Sequence, residues 1–150
     1  MADLITSDLV DLDLAATDRH EATRSLAERL RAAGRVTDLD GFLADVRARE
    51  AQMPTGIEGG IGIPHARSAH VTEPTLGFGR SQRGVDFGAE DGPAHLIFLI
   101  AAPEGGGAEH MTILASLARR LVHASFRDAL RQAPDPETVV NLVKKEVLGQ

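Results

Sequence analysis

His95-Leu96-Ile97-Phe98-Leu99-Ile100-Ala101-Ala102 is the most apolar run in the chain. A turn, Glu90-Asp91-Gly92-Pro93, precedes it and Pro103 follows it. The short length and the turn residues on either side predict a strand. Its apolar residues are continuous instead of alternating, so the strand is expected to be buried on both faces. That places it at the centre of a sheet covered by helices.

The flanking sequence fits around such a strand. Thr75-Leu76-Gly77-Phe78-Gly79-Arg80 alternates, with Leu76 and Phe78 on one face, and Val85 and Phe87 form a second short alternating piece. Val10-Asp11-Leu12-Asp13-Leu14 alternates as a half-buried strand does. Thr17 and Asp18 offer an N-cap, with Glu21 in capping-box position. Ala22, Leu26, Ala27 and Leu30 follow as an apolar stripe, and Gly34 can close that helix in left-handed conformation. A second helix is predicted from Asp38, with Leu39, Phe42, Leu43 and Val46 as its stripe and an end near Met53-Pro54. Arg47, Arg49 and Glu50 lie in its last turns, where a cation is favoured by the helix C-terminus.

Beyond the central run, Glu104 to His110 reads as a glycine-rich loop, and a helix carrying Ile113, Leu114, Leu117, Ala118 and Leu121 follows it. Ser125 is expected to cap a shorter helix, and Asp135-Pro136 to start another that ends before Gly149. Strands and helices interleave. The fold class predicted is α/β: a single domain with a mixed β-sheet sandwiched between helices, in three α/β/α layers.

Composition excludes several functions. The chain has 5 Phe and no Tyr or Trp, which leaves little to stack on single-stranded nucleic acid. A formal net charge of −6 with no basic run argues against nucleic-acid binding. With no cysteine, disulfides, thiolate nucleophiles and Cys-ligated zinc are excluded within the chain. Met1-Ala2-Asp3-Leu4 lacks the features of a signal peptide, and no apolar run approaches the ~20 residues that span a bilayer. No direct membrane insertion is expected.

Reactive chemistry concentrates in Pro54-Thr55-Gly56-Ile57-Glu58-Gly59-Gly60-Ile61-Gly62-Ile63-Pro64-His65-Ala66-Arg67. Ile61-Gly62-Ile63 suits a short strand that Pro64 should stop, leaving His65 at its end. The glycines are expected to leave room for a ligand or for a partner's backbone. Of the 6 histidines, His20 and His123 read as surface residues, His70 as a loop residue and His95 as structural. His65 and His110 each follow a buried strand beside glycine-rich backbone. Sites in open α/β sheets collect beyond the carboxyl ends of strands, so the two imidazoles could share a pocket.

Three chemistries suit two histidines and an arginine. A metal site lacks a helical ligand pair or a nearby acid to complete it. Acid–base hydrolysis lacks a nucleophile signature. Phosphoryl transfer to an imidazole needs only a neutral nitrogen and donors around the phosphoryl oxygens, which Arg49, His110 and backbone N–H groups can provide.

Arg49-Glu50, Pro54-Thr55-Gly56-Ile57 and Gly60-Ile61-Gly62-Ile63-Pro64-His65-Ala66-Arg67 resemble the signature of the IIA component of the phosphoenolpyruvate-dependent sugar phosphotransferase system, fructose/mannitol class. Leu96 to Pro103, Glu109-His110 and Leu114-Ala115-Ser116-Leu117-Ala118 resemble the family's second histidine motif. Met111 stands where the family often has leucine. The resemblance covers almost the whole chain and implies one EIIA type-2 domain over residues 1–150.

It further implies that His65 is phosphorylated, at Nε2, by the phosphocarrier protein HPr. The group then passes to a cysteine on a IIB domain, with the membrane IIC channel beyond it. Arg49 would steady the phosphoryl group, His110 would lie beside it, and Arg67 is either a further contact or a solvated loop residue. No cofactor or metal is implied, and the location implied is cytoplasmic. The chain would be a free-standing IIA protein or one domain of a fused transporter, and the sugar to which the resemblance points is fructose. The alternatives are a nitrogen-related regulatory IIA protein, which uses the same phosphohistidine as a signal, and a domain that keeps the fold without phosphoryl chemistry.

Overall fold

In a computed structural model of the chain, the apolar run forms β6 (Ala94–Pro103), with Leu96 to Ala102 buried. Residues 3–105 and 108–149 are described, with backbone alone for residues 108–111. Alternation along β6 divides the core in two. Ile97, Leu99 and Ala101 join one apolar cluster, while Leu96, Phe98 and Ile100 join the other. On the first face lie α1 (Arg19–Ala32) and α2 (Leu39–Gln52), which contribute Leu26, Leu30, Phe42 and Val46. On the second lie α3 (Ala108–Leu121), α4 (Ala124–Gln132) and α5 (Pro136–Glu146), which contribute Leu117, Leu130 and Val143. The sheet is thus covered on both sides, as expected.

The remaining strands are β1 (Val10–Asp11), β2 (Gly56–Ile57), β3 (Ile61–Gly62), β4 (His65–Ser68) and β5 (Thr75–Val85). They make a mixed 6-stranded sheet in the order β1-β5-β6-β3-β2, with β4 also on β6. β5 runs antiparallel to β6 and sets Phe78 opposite Phe98, their ring centroids 4.8 Å apart. Full burial of each such ring contributes about 1.5–3 kcal/mol. β1 is parallel to β5, and β3 and β4 are parallel to β6.

The caps follow the sequence in most places. The Asp18 carboxylate accepts from Glu21 N at 2.8 Å, that of Asp38 from Gly41 N at 3.3 Å and that of Asp135 from Thr138 N at 2.8 Å. Gly34 closes α1 with φ 78°. Some expectations are corrected. The first strand is only Val10–Asp11, because the chain turns at Leu12 and Asp13, with Asp13 N donating to the Asp11 carboxylate at 3.0 Å. Thr75 to Val85 is a single strand with an irregularity between Arg80 and Val85. His123, not Ser125, occupies the N-cap of α4, and its side chain makes no capping bond. The predicted 104–110 loop is shorter, since α3 already begins at Ala108. Among the described residues, no helix is long and apolar enough to cross a membrane.

Candidate active site

β3 and β4 pair with β6 at one common offset, Ile61 with Leu96, Gly62 with Ile97 and His65 with Ile100. They form one strand line broken at Ile63-Pro64. Pro64 interrupts the strand, as expected, but does not end it: His65 opens the resumed segment instead of standing beyond a strand end. The carbonyls of Gly60 and Pro64 still accept from Leu96 N and Ile100 N, each at 3.0 Å. Ile63 faces the other way. Its N–H donates to Thr55 O at 3.2 Å, and its carbonyl lies 2.8 Å from His65 Nδ1.

That last contact fixes the tautomer. A carbonyl oxygen only accepts, so Nδ1 carries the proton and the lone pair of the neutral ring lies on Nε2. His65 is 9% exposed. Burial pushes its pKa below the ordinary 6.5, and the Ile63 carbonyl opposes that shift. The positive Arg49 lowers it further, and the negative Glu50 raises it. The net result is an imidazole held neutral, with its nucleophilic nitrogen defined.

A cleft of about 480 Å³ adjoins this ring, lined by Asp45, Ala48, Arg49 and Gln52 of α2, His65, Ala66 and Arg67 of β4, and Leu114 of α3. It lies where β4 passes between two helices. Arg49 is half-buried, and its Nη1 donates to Met53 O at 3.0 Å. Among the described residues this is the one hydrogen bond of the guanidinium, which lines the cleft while it closes the end of α2. Arg67 is exposed at the same cleft. The structure therefore brings together His65, Arg49 and Arg67. His110 lies on the first turn of α3, and its side chain is outside the described residues. Among those residues, no three His, Cys, Asp or Glu side chains gather as metal ligands would. His95 is apart from this cleft, with Nδ1 donating to Ser81 O at 2.8 Å, in the structural role expected.

The glycines do something other than expected. Gly59 and Gly60 turn the β2–β3 hairpin with φ of 98° and 76°. A Cβ on Gly56 would stand 2.7 Å from Phe87 O, and one on Gly62 would stand 2.7 Å from the Phe87 ring. These two glycines admit the chain's own Phe87. They do not provide the space at the cleft that the sequence suggested.

Glu50 was given no role from the sequence. It is 6% exposed and accepts from Thr55 N at 2.8 Å, Thr55 Oγ1 at 2.6 Å and Arg19 Nη1 at 3.2 Å. The available signal was its position four residues after Val46, on the apolar stripe of α2, where a charge needs partners. Asp45 likewise holds β4 to α2, accepting from Ser68 Oγ at 2.6 Å.

A family model described as "Phosphoenolpyruvate-dependent sugar phosphotransferase system, EIIA 2" matches residues 3–146. The chain is 38% identical over 141 residues to the PTS system fructose-specific EIIA component of Haloferax volcanii, covering 93% of this chain and 92% of that protein. It is 33% identical over 146 residues to the PTS system fructose-specific EIIABC component of Bacillus subtilis, covering 97% of this chain but 23% of that longer protein. Among solved structures, nitrogen regulatory protein IIA-Ntr from Neisseria meningitidis superposes with a TM-score of 0.86 at 28% identity, covering 93% of this chain and 96% of that one. The IIA component in the complex of enzyme IIA-Mtl with phosphorylated enzyme IIB-Mtl from Escherichia coli superposes with a TM-score of 0.79 at 25% identity, covering 97% and 98%.

Proposed function

The chain belongs to the EIIA type-2 family of the phosphoenolpyruvate-dependent sugar phosphotransferase system, a phosphotransferase component with a phosphohistidine intermediate, and on that premise we propose that His65 carries the phosphoryl group. One observation carries this reading: Nδ1 of a buried, neutral imidazole is tied to Ile63 O, beside a cleft that Arg49 lines. The Nε2 lone pair forms a P–N bond as the P–N bond of phosphorylated HPr breaks, and the donor imidazole leaves with that electron pair. The same bond then breaks toward a cysteine of a IIB domain. Arg49 stabilises the phosphoryl oxygens, with His110 beside them.

The phosphoryl group must also leave, so uniformly tight binding would stall the relay. A single half-buried arginine suits that requirement. Hydrogen bonds to charged groups are worth about 1.5–3 kcal/mol, so Arg49→Ala slows uptake from phosphorylated HPr about ten- to a hundredfold. Quenched-flow measurement of labelled phosphate on the protein checks it, and an unchanged rate removes Arg49 from the site.

The partners we infer are HPr and a IIB domain, with a membrane IIC channel beyond it, and the location is the cytoplasm. Ala48 and Leu114 supply apolar surface at the cleft beside His65, on which both partners would dock. The sugar is fructose, by likeness to two fructose-specific relatives. The similarity to IIA-Ntr supports a second reading, a regulatory protein that binds targets according to its phosphorylation. Incubation with phosphorylated HPr, a panel of IIB domains and their sugars separates the two. Phosphate reaching a fructose IIB supports transport, and phosphorylation with no transfer to any IIB supports regulation.

A further inference from the structure

We propose, resting on the phosphocarrier reading above, that Glu50 is a positioning residue whose carboxylate, acting through Thr55 and Ile63, fixes the tautomer and placement of the His65 imidazole. A continuous line of hydrogen bonds connects them. Both Glu50 oxygens accept from Thr55, Oε2 from its N–H at 2.8 Å and Oε1 from its hydroxyl at 2.6 Å. Thr55 O accepts from Ile63 N–H at 3.2 Å. Ile63 O accepts from His65 Nδ1–H at 2.8 Å.

The intervening peptides have little freedom. The Thr55–Gly56 peptide is planar and held at both ends, by Ile63 N–H on its oxygen and by Phe87 O, 2.9 Å from Gly56 N. Proline follows Ile63 and restricts its backbone to extended conformations. The Ile63 carbonyl can therefore aim at only one place, and the carboxylate at the head of the line decides where its base sits.

A carboxylate buried on the apolar stripe of a helix carries a desolvation cost, which a residue retained only for packing would avoid. Here Arg19 Nη1, at 3.2 Å, answers its charge and also ties α1 to the line. Glu50 and its sequence neighbour Arg49 act on the same ring with opposite sign. Arg49 lines the cleft beside the ring, whereas Glu50 is buried and bonded to Thr55 and Arg19. The other charged side chains at this cleft are Asp45 of α2, engaged by Ser68, and Arg67 of β4.

The test compares Thr55→Val, Thr55→Ser and Glu50→Gln in the full chain. The valine is nearly isosteric and keeps the backbone N–H, but removes the hydroxyl bond to Glu50. The serine restores it. Nitrogen-15 NMR of His65 in phosphate-free protein reads the tautomer, and labelled phosphorylated HPr reads the transfer rate, at a temperature where circular dichroism shows every variant folded.

Thr55→Val and Glu50→Gln are expected to give mixed tautomers and about tenfold slower uptake, which corresponds to ~1.4 kcal/mol. Thr55→Ser recovers both. Wild-type tautomer and rate in the folded Thr55→Val protein would overturn the proposal, as would a serine no better than the valine. Should Glu50→Gln fail to fold, the valine–serine pair decides alone. A wild-type protein that takes no phosphate defeats the phosphocarrier reading, while the tautomer still judges the role of Glu50.

Discussion

A His65→Ala protein takes up no phosphoryl group from phosphorylated HPr. Among the described residues, no other imidazole lines the cleft with Arg49. His95, whose Nδ1 is held by Ser81 O at 2.8 Å, lines a separate cleft with Arg80 and Arg131. His20 and His123 are exposed. The loss is measured as mass: the wild type gains one phosphoryl group and the variant none. A variant that gains phosphate normally would move the site elsewhere.

The same ring predicts a pH signature. A free imidazole is half protonated near 6.5 and loses its nucleophilic lone pair as pH falls through that value. Burial lowers the His65 pKa, with the Arg49 charge adding to the effect against the opposing Ile63 carbonyl and Glu50. The neutral form therefore persists to lower pH than in a free imidazole. The sign holds for stability too. The unfolded chain binds the His65 proton first, so this group's contribution is complete above 6.5 and declines as pH falls from there toward the lowered folded value. A titration of the His65 Cε1 proton by NMR should give a midpoint below 6.5, and a midpoint at or above it would show that burial does not dominate.

Gly56→Ala destabilises the fold by about 2–3 kcal/mol, because over-packing at a site that cannot relax costs this much. The new Cβ would lie 2.7 Å from Phe87 O and 2.8 Å from Ala89 N, both backbone atoms. Phe87 cannot retreat, since it is 1% exposed inside the α1–α2 cluster. The corresponding fall in melting temperature is roughly 5–10 °C for a chain of this size. Gly105 supplies the control, since a Cβ there meets nothing within 4 Å. Thermal melts of the two alanine variants should separate clearly. Equal melting temperatures would mean that the Phe87 segment moves freely, which contradicts the packing of the β2–β3 hairpin.

Much of this was legible from the chain because local and global signals agree. The run from Leu96 to Ala102 is apolar at every position, and it is buried at every position. Asp18 and Asp135 read as N-caps and act as N-caps, and Asp38, from which the second helix was expected, caps it in the same way, because short carboxylates satisfy the first helical N–H groups. The motif singled out His65 and Arg49, and both line one cleft.

What escaped was tertiary. Nothing in Gly56 or Gly62 says that Phe87, far along the chain, fills the space they leave. The bond from His65 Nδ1 to Ile63 O depends on Pro64 breaking the strand line without ending it, and a strand that resumes has the same local pattern as one that stops. Glu50 looked like one more charge at a helix end, and only its partners Thr55 and Arg19 show why it is buried.

The most direct test of the account is nitrogen-15 and phosphorus-31 NMR of the histidine-labelled protein after incubation with phosphorylated HPr. One phosphorus should couple to Nε2 of His65, with Nδ1 still protonated toward Ile63 O. Coupling to Nδ1, or to the ring of any other histidine, would contradict it.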